Sequence, residues 1–147
     1  MKVLPCVFLT IVVIAISGCS SYPVARDVPF SSNLPDENQF FFWDFNKGEG
    51  NYVINSQQDW LNFTNNQTTP AIWQVNFSES TLLVACRGMK GGGGYEINIT
   101  KIVDYTNLTI VYVQDIDKGH FQQMVTYPCY AVIAEKITNY IEFKKIV

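Results

Sequence analysis

Alternation of apolar and polar residues is the feature that most constrains this chain of 147 residues. Between residues 95 and 100 the apolar side chains fall at every second position, and the same spacing recurs from residue 108 to residue 114. Because successive side chains of a strand point to opposite faces of a sheet, this spacing predicts strands with one buried face. The 29 valines and isoleucines, against seven leucines, also favour strands, since branched side chains suit a pleated surface better than a helix.

The remaining pattern extends this prediction to a whole β-rich domain. One helix is predicted over residues 57–64, because Ser56 is a good N-cap and Asp59 lies in the first turn. We predict further strands at residues 40–45, 52–54, 81–87, 126–136 and 140–144, joined by hairpin turns. The expected fold class is therefore mainly β, an antiparallel sandwich or a partly open barrel with one short helix.

The first 18 residues have the features of a secretory signal. Lys2 precedes an apolar stretch from Val7 to Ile16, which is too short for a confident membrane span of about 20 residues. The following Ile16-Ser17-Gly18-Cys19 resembles the bacterial lipobox, in which the peptide is cut before the cysteine and that cysteine is lipidated. The resemblance implies lipidation at Cys19 and attachment to the membrane through the N-terminal lipid, in the cell envelope and at the outer membrane if the cell is Gram-negative. An ordinary secretory signal is the alternative.

Between the lipidated cysteine and the domain, we expect a tether. Residues 20–38 contain three prolines and four serines, and proline both removes a backbone donor and disfavours helix in the residue before it. The expected organisation is a signal at 1–18, the lipidated cysteine and a flexible tether at 19–38, and a single β-rich domain at 39–147.

Charge and motifs exclude several classes of function. Ten Lys and Arg against thirteen Asp and Glu give a net charge of −3, which argues against binding nucleic acid. His120 is the only histidine, which excludes metal sites built from several histidines. Asp115 and Asp117 lack the further ligands that a calcium-binding loop needs. The glycine run does not open a helix as a phosphate-binding loop does, because Tyr95 begins a strand. We therefore expect no metal, no cofactor and no enzymatic activity.

Two cysteines remain once Cys6 leaves with the signal and Cys19 takes lipid. Cys86 and Cys129 both fall in predicted strands, and the cell envelope permits disulfides. A disulfide and a pair of buried free thiols are both consistent with this placement.

The order of several short motifs resembles the PrcB-type C-terminal domain, a family named for a subunit of a surface protease complex. The motifs are Val-Asn-Phe-Ser at 75–78, Leu-Val-Ala-Cys-Arg-Gly at 83–88, Gly-Gly-Tyr-Glu-Ile-Asn-Ile at 93–99, and Val-Thr-Tyr-Pro at 125–128 with Tyr-Ala-Val at 130–132. Asn76 replaces the usual aspartate, and Cys129 is inserted before the tyrosine of the last motif. The resemblance implies a non-enzymatic accessory or assembly subunit that interacts with a surface protein or protease complex.

The glycine-rich segment is the candidate contact site within that resemblance. Its residues are Gly91, Gly92, Gly93, Gly94 and Tyr95, and they serve either as a partner contact or as a tight structural turn that starts a strand. A second function is also consistent with four consecutive glycines, which make a loop flexible enough to enter a cleft. Gly94-Tyr95 is faintly similar to the loop of small β-sandwich inhibitors of cysteine proteases, although the Asn-Pro-Thr that precedes it there is absent.

Overall fold

The computed structural model describes residues 24–32, 47–66, 75–119 and 124–147. These residues form eight strands and one helix, whose bounds are β1 Arg26–Asp27, β2 Phe30–Ser31, β3 Glu49–Ile54, α1 Gln57–Phe63, β4 Ser80–Arg87, β5 Tyr95–Asp104, β6 Leu108–Asp117, β7 Cys129–Glu135 and β8 Tyr140–Ile146. The predicted strand at residues 40–45 and the lone histidine at position 120 lie outside the described residues.

The strands form two four-stranded sheets that face each other. Sheet A has the order β1-β5-β6-β8 and sheet B the order β2-β7-β4-β3. A buried apolar cluster fills the space between them, with Leu83 and Val132 from sheet B against Ile102 and Val111 from sheet A. The mainly β prediction is confirmed as a sandwich of two sheets, and the strands of the described residues do not close into a barrel.

One strand runs parallel to its neighbour, whereas the sequence predicted antiparallel strands throughout. The last strand, β8, pairs with β6 in parallel, with Leu108 opposite Tyr140 and Gln114 opposite Ile146. The chain leaves β7 in sheet B and crosses to sheet A before β8 begins, whereas a hairpin would have returned it antiparallel to its neighbour. The alternation of apolar residues is the same in both directions, so the spacing predicted the strand and not its pairing.

Strand β4 is buried on both faces because sheet B has a second layer behind it. Leu83 and Ala85 face the cluster between the sheets, while Leu82, Val84 and Cys86 face a second cluster with the helix. A fully buried leucine contributes about 1.5–3 kcal/mol relative to an exposed one. Both faces of this strand are therefore buried in apolar clusters.

Helix α1 covers the outer face of sheet B, and it begins after the N-cap that the sequence predicts. Ser56 Oγ accepts a hydrogen bond from the Asp59 backbone N–H at 3.1 Å, and Asp59 Oδ2 accepts one from the Asn55 N–H at 3.0 Å. This arrangement resembles a capping box, but its acidic residue is aspartate and accepts from the residue before the N-cap instead of from the N-cap itself. Trp60 and Phe63 are then buried against the sheet, and the helix ends at Phe63, one residue before the predicted end.

Residues 24–32 are not the free tether that was expected for residues 19–38. Arg26 and Asp27 pair with the end of β5, and Phe30 and Ser31 pair with β7, so this stretch crosses from sheet A to sheet B. Val28, at the crossing, is 4% exposed and its N–H donates to the Ile102 carbonyl at 2.9 Å. Burial of apolar side chains between prolines outweighs the local preference for coil. The domain therefore includes residues well before position 39.

No helix among the described residues has the length and hydrophobicity that crossing a bilayer requires.

Candidate functional site

The glycine-rich segment connects β4 of sheet B to β5 of sheet A at one end of the sandwich, which we call the glycine-rich end. Before the glycines, Lys90 and Thr126 form an isolated antiparallel bridge, with N–O distances of 2.8 and 2.9 Å. The buried hydroxyl of Thr126 also donates to the Gly92 carbonyl at 3.0 Å. The predicted strand over residues 126–136 therefore begins only at Cys129, because Thr126 pairs with the glycine-rich segment instead of with β4.

The last glycine occupies a position that no other residue fits. Gly94 has a φ of 91°, and a Cβ atom at this position would lie 1.8 Å from the Gly119 carbonyl oxygen. The Gly94 carbonyl accepts a hydrogen bond from the Lys118 N–H at 2.8 Å. By contrast, a Cβ atom at Gly91 meets nothing within 4 Å. The segment is held by hydrogen bonds at both ends, so the expectation of a loop free to enter a cleft does not hold for Gly92 or Gly94.

Arg87, which ends β4, is the charged group at the centre of this end. Its side chain is 10% exposed and lies 3.0 Å from Asp115 and 2.5 Å from Asp117, measured from guanidinium nitrogen to carboxylate oxygen. Its Nη1 also donates to the carbonyls of Glu96 and Ile116, at 3.2 and 3.1 Å. One side chain from sheet B thus connects both long strands of sheet A, which is a geometry that the planar fork of arginine favours.

Nearby charges and an aromatic ring also stabilise the Arg87 guanidinium in this position. Burial alone would lower the pKa of the Arg87 guanidinium, but the hydrogen bond to Asp117 and the charge of Asp115 outweigh it and raise the pKa. The guanidinium carbon lies 5.2 Å from the centre of the Tyr95 ring, within the range of a cation–π contact. Lys145 Nζ adds a second cation 2.5 Å from Asp115. Tyr95 is therefore half-buried beneath the arginine at the start of β5.

Cys86 and Cys129 form a disulfide directly beside Arg87. The two residues are opposite each other in the β4–β7 register, with Cα atoms 4.0 Å apart. Arg87 N–H donates to the Pro128 carbonyl at 2.8 Å, which makes the cysteines the close, non-hydrogen-bonded pair of the ladder. Of the two alternatives that the sequence leaves open, the structure contains the disulfide, and its sulfur atoms belong to the apolar cluster under the helix.

Three exposed apolar residues flank the glycine-rich segment, and we call them the methionine patch. Met89 is 66% exposed, Met124 44% and Val125 58%. Met89 and Val125 each come directly before a residue of the antiparallel Lys90–Thr126 bridge, so they lie diagonally across it, one on each side of the bridged pair. The sequence indicated Arg87 only as part of a motif and indicated no role for the methionines. Neither the partners of a charged residue nor the exposure of a side chain can be read from a single sequence.

The other predicted site residues are placed as follows. Cys19 lies outside the described residues. Gly91 is exposed and Gly93 half-buried, while Gly92 is buried. Asp115 and Asp117 bind Arg87. Across the described ranges, no three His, Cys, Asp or Glu side chains come together in a group that could hold a metal ion.

Together these features define a small β-sandwich domain whose glycine-rich end is joined by a disulfide, a buried arginine and a fixed loop. The family model described as PrcB C-terminal matches residues 81–134, a stretch that begins in β4 and ends in β7 and so includes Arg87, the glycines and both cysteines. The resemblance drawn from the motifs is confirmed over these residues. Searches of curated proteins and of solved structures found no match.

Proposed function

We propose that this protein is a non-enzymatic, lipid-anchored accessory subunit of the cell envelope that binds a surface protease or another large surface protein. The observation that carries the proposal is the match of residues 81–134 to the PrcB C-terminal family, whose description points to a protease-associated domain. In this chain the matched segment builds the glycine-rich end.

The methionine patch supplies a surface suited to such contact. Exposed apolar side chains grouped at one place are typical of protein-binding surfaces, and methionine adapts its shape to different partners. Lys90 lies beside the patch and is half-buried, with no salt bridge to any residue in the part of the chain that the structure describes. A partner with apolar side chains next to a carboxylate would complement this surface.

The hydrogen-bonded loop supports an accessory role better than inhibition. A loop that enters a protease cleft must project from its scaffold, yet Gly92 is buried and Gly94 lies against the backbone of Gly119, just after β6. Among the glycines from 88 to 94 whose surroundings are described, only Gly91 has open space around a Cβ position. The segment therefore supports the residues beside it and does not project from the domain. Inhibition of cysteine proteases stays the alternative to be tested.

Site-specific photo-crosslinking in the native cell tests the proposal. A photoreactive amino acid replaces Met89 in the full chain, and the matched control carries it at Tyr140, which is 74% exposed at the other end of the sandwich. We expect Met89 to crosslink to a protease or its complex, identified by mass spectrometry, and Tyr140 not to. Recovery of only lipids and abundant porins from Met89 would contradict the proposal. Inhibition of papain-like proteases by the purified protein would favour the alternative.

A further inference from the structure

The direction of β1 fixes where the N-terminal part of the chain reaches the domain. Arg26 pairs with Asp104 and Asp27 with Val103, so β1 runs antiparallel to β5. Strand β5 starts at Tyr95 in the glycine-rich end and finishes at Asp104. The chain therefore joins the domain at the opposite end of the sandwich, which we call the tether end. The ten residues of β5 span nine steps and separate the two ends by about 30 Å.

The chain available between lipid and domain is short. Cys19 lies seven residues before Arg26, and seven residues span about 25 Å when fully extended. A domain turned with its glycine-rich end on the membrane would hold Arg26 about 30 Å above it. Because that distance exceeds the extended length of the connecting chain, an inverted domain is excluded once Cys19 is anchored. The pairing of residues 26–31 with both sheets is what produces this limit.

The tether end also carries side chains suited to a bilayer surface. Val24 is 82% exposed and Tyr140 is 74% exposed, and they lie at the two edges of sheet A, next to β1 and in β8. Tyrosine favours the boundary between headgroups and acyl chains, because its ring is apolar and its hydroxyl is polar. These residues would contact lipid without any change in the fold.

Arg26, where the chain joins the tether end, is paired with acidic side chains, and the backbone at this end is fixed. Arg26 forms ion pairs with Asp104, at 3.4 Å, and with Glu135. Asn139 Nδ2 donates to Asp104 at 2.7 Å and to the Tyr105 carbonyl at 3.1 Å, which ties the start of β8 to the β5–β6 turn. Contact with lipid at this end would therefore depend on aromatic and apolar side chains and only weakly on anionic lipid.

We infer that the tether end, with Val24 and Tyr140, rests on the surface of the membrane that anchors Cys19, and that the glycine-rich end points away from it. The inference rests on the proposed acylation of Cys19. It presents the methionine patch about 30 Å from the bilayer, where a protein projecting from the membrane can reach it.

Quenching of a fluorophore by lipid tests this orientation. The full acylated chain is reconstituted in phosphatidylcholine vesicles that contain nitroxide-labelled headgroups, with a single thiol-reactive fluorophore at Tyr140→Cys or, as the matched control, at Met89→Cys. Both positions are exposed, and the new thiol is unique, since Cys86 and Cys129 are bridged and Cys19 carries lipid. We expect about threefold stronger quenching at position 140 than at position 89, because the two heights differ by about 30 Å.

The outcomes separate the orientation from the anchor. Equal quenching at both positions, or stronger quenching at 89, in a chain that floats with the vesicles would overturn the orientation alone. Mass spectrometry showing an unacylated Cys19 would overturn both the anchor and the orientation. Insertion of about 20 Gly and Ser residues after Ser20 lengthens the tether to a flexible coil, and it should bring the two quenching values together. An unchanged difference in that variant would contradict the reasoning from tether length.

Discussion

Arg87→Met removes the cation that joins sheet B to both long strands of sheet A and leaves an unbranched apolar side chain in its place. Breaking a buried ion pair leaves the other charge buried, at a cost of about 3–5 kcal/mol. Asp115 is 20% exposed and counts toward that cost, whereas Asp117 is 63% exposed and adds little. Lys145 still neutralises Asp115. We therefore expect a loss of about 3 kcal/mol in the free energy of unfolding, near the lower limit of that range.

Urea denaturation of the oxidised, unlipidated mature chain measures this loss, with tryptophan fluorescence, to which the buried Trp60 contributes, as the signal. Lys118→Met is the matched control, because its ion pair with Glu96 joins two side chains that are 56% and 44% exposed, and such a pair contributes about 1 kcal/mol or less. Thermal unfolding of the Arg87 variant should occur about 10 °C lower. Equal losses in the two variants would refute the reasoning, because burial of the Arg87 pair would then have no energetic consequence.

Three further changes test other parts of the domain. Gly94→Ala places a methyl group 1.8 Å from a backbone oxygen at a residue with a φ of 91°, and it should lower the free energy of unfolding by about 2 kcal/mol or more. Gly91→Ala is the control and should change this free energy by no more than about 0.5 kcal/mol. Calorimetry compares the two variants. Replacing Cys86 and Cys129 by serine opens a disulfide loop and should lower the free energy of unfolding by up to about 4 kcal/mol, measured against the oxidised chain in urea. Burial alone would raise the pKa of Asp104, but hydrogen bonds from a threonine, an asparagine and an arginine outweigh it and lower the pKa. Its stabilising contribution is therefore present above the pKa of the unfolded state and is lost as pH falls through the folded value, so Asp104→Asn should flatten the acid side of the stability profile; an unaltered profile would contradict this.

The fold was predictable where local chemistry determines it. Alternation over residues 95–100 and 108–114 predicted β5 and β6, and Ser56 with Asp59 predicted the start of the helix. The parallel pairing of β8 was not predictable, because side-chain periodicity is the same in either direction. The prolines of the expected tether were misleading at residues 24–32, since coil preference is local while burial of Val28 depends on strands about 70 residues away.

Part of the candidate site was likewise predictable from the sequence, and part of it was not. A run of glycines before an alternating segment predicts a turn, and Gly94 has the positive φ that this prediction implies. The arginine at the end of an otherwise apolar strand was the available signal for a buried charge, because such a residue needs partners. Its partners lie 28 and 30 residues further along the chain, and only the pairing of β5 with β6 brings them beneath it.

Four consecutive glycines suggest mobility, yet in this fold the last of them allows the chain before β5 to approach the chain after β6 closely. Gly94 fits against the Gly119 backbone only without a side chain, and the disulfide and Arg87 fix the strands on either side. A surface held in this way would lose little conformational entropy on binding, so under the proposed function a modest patch such as Met89 and its neighbours would bind more tightly than the same residues on a free loop. Hydrogen exchange should therefore find the Lys118 amide, bonded to Gly94, protected in the free protein. Fast exchange at that amide would mean that the glycine-rich end orders only on binding, and that the partner rather than the fold determines its shape.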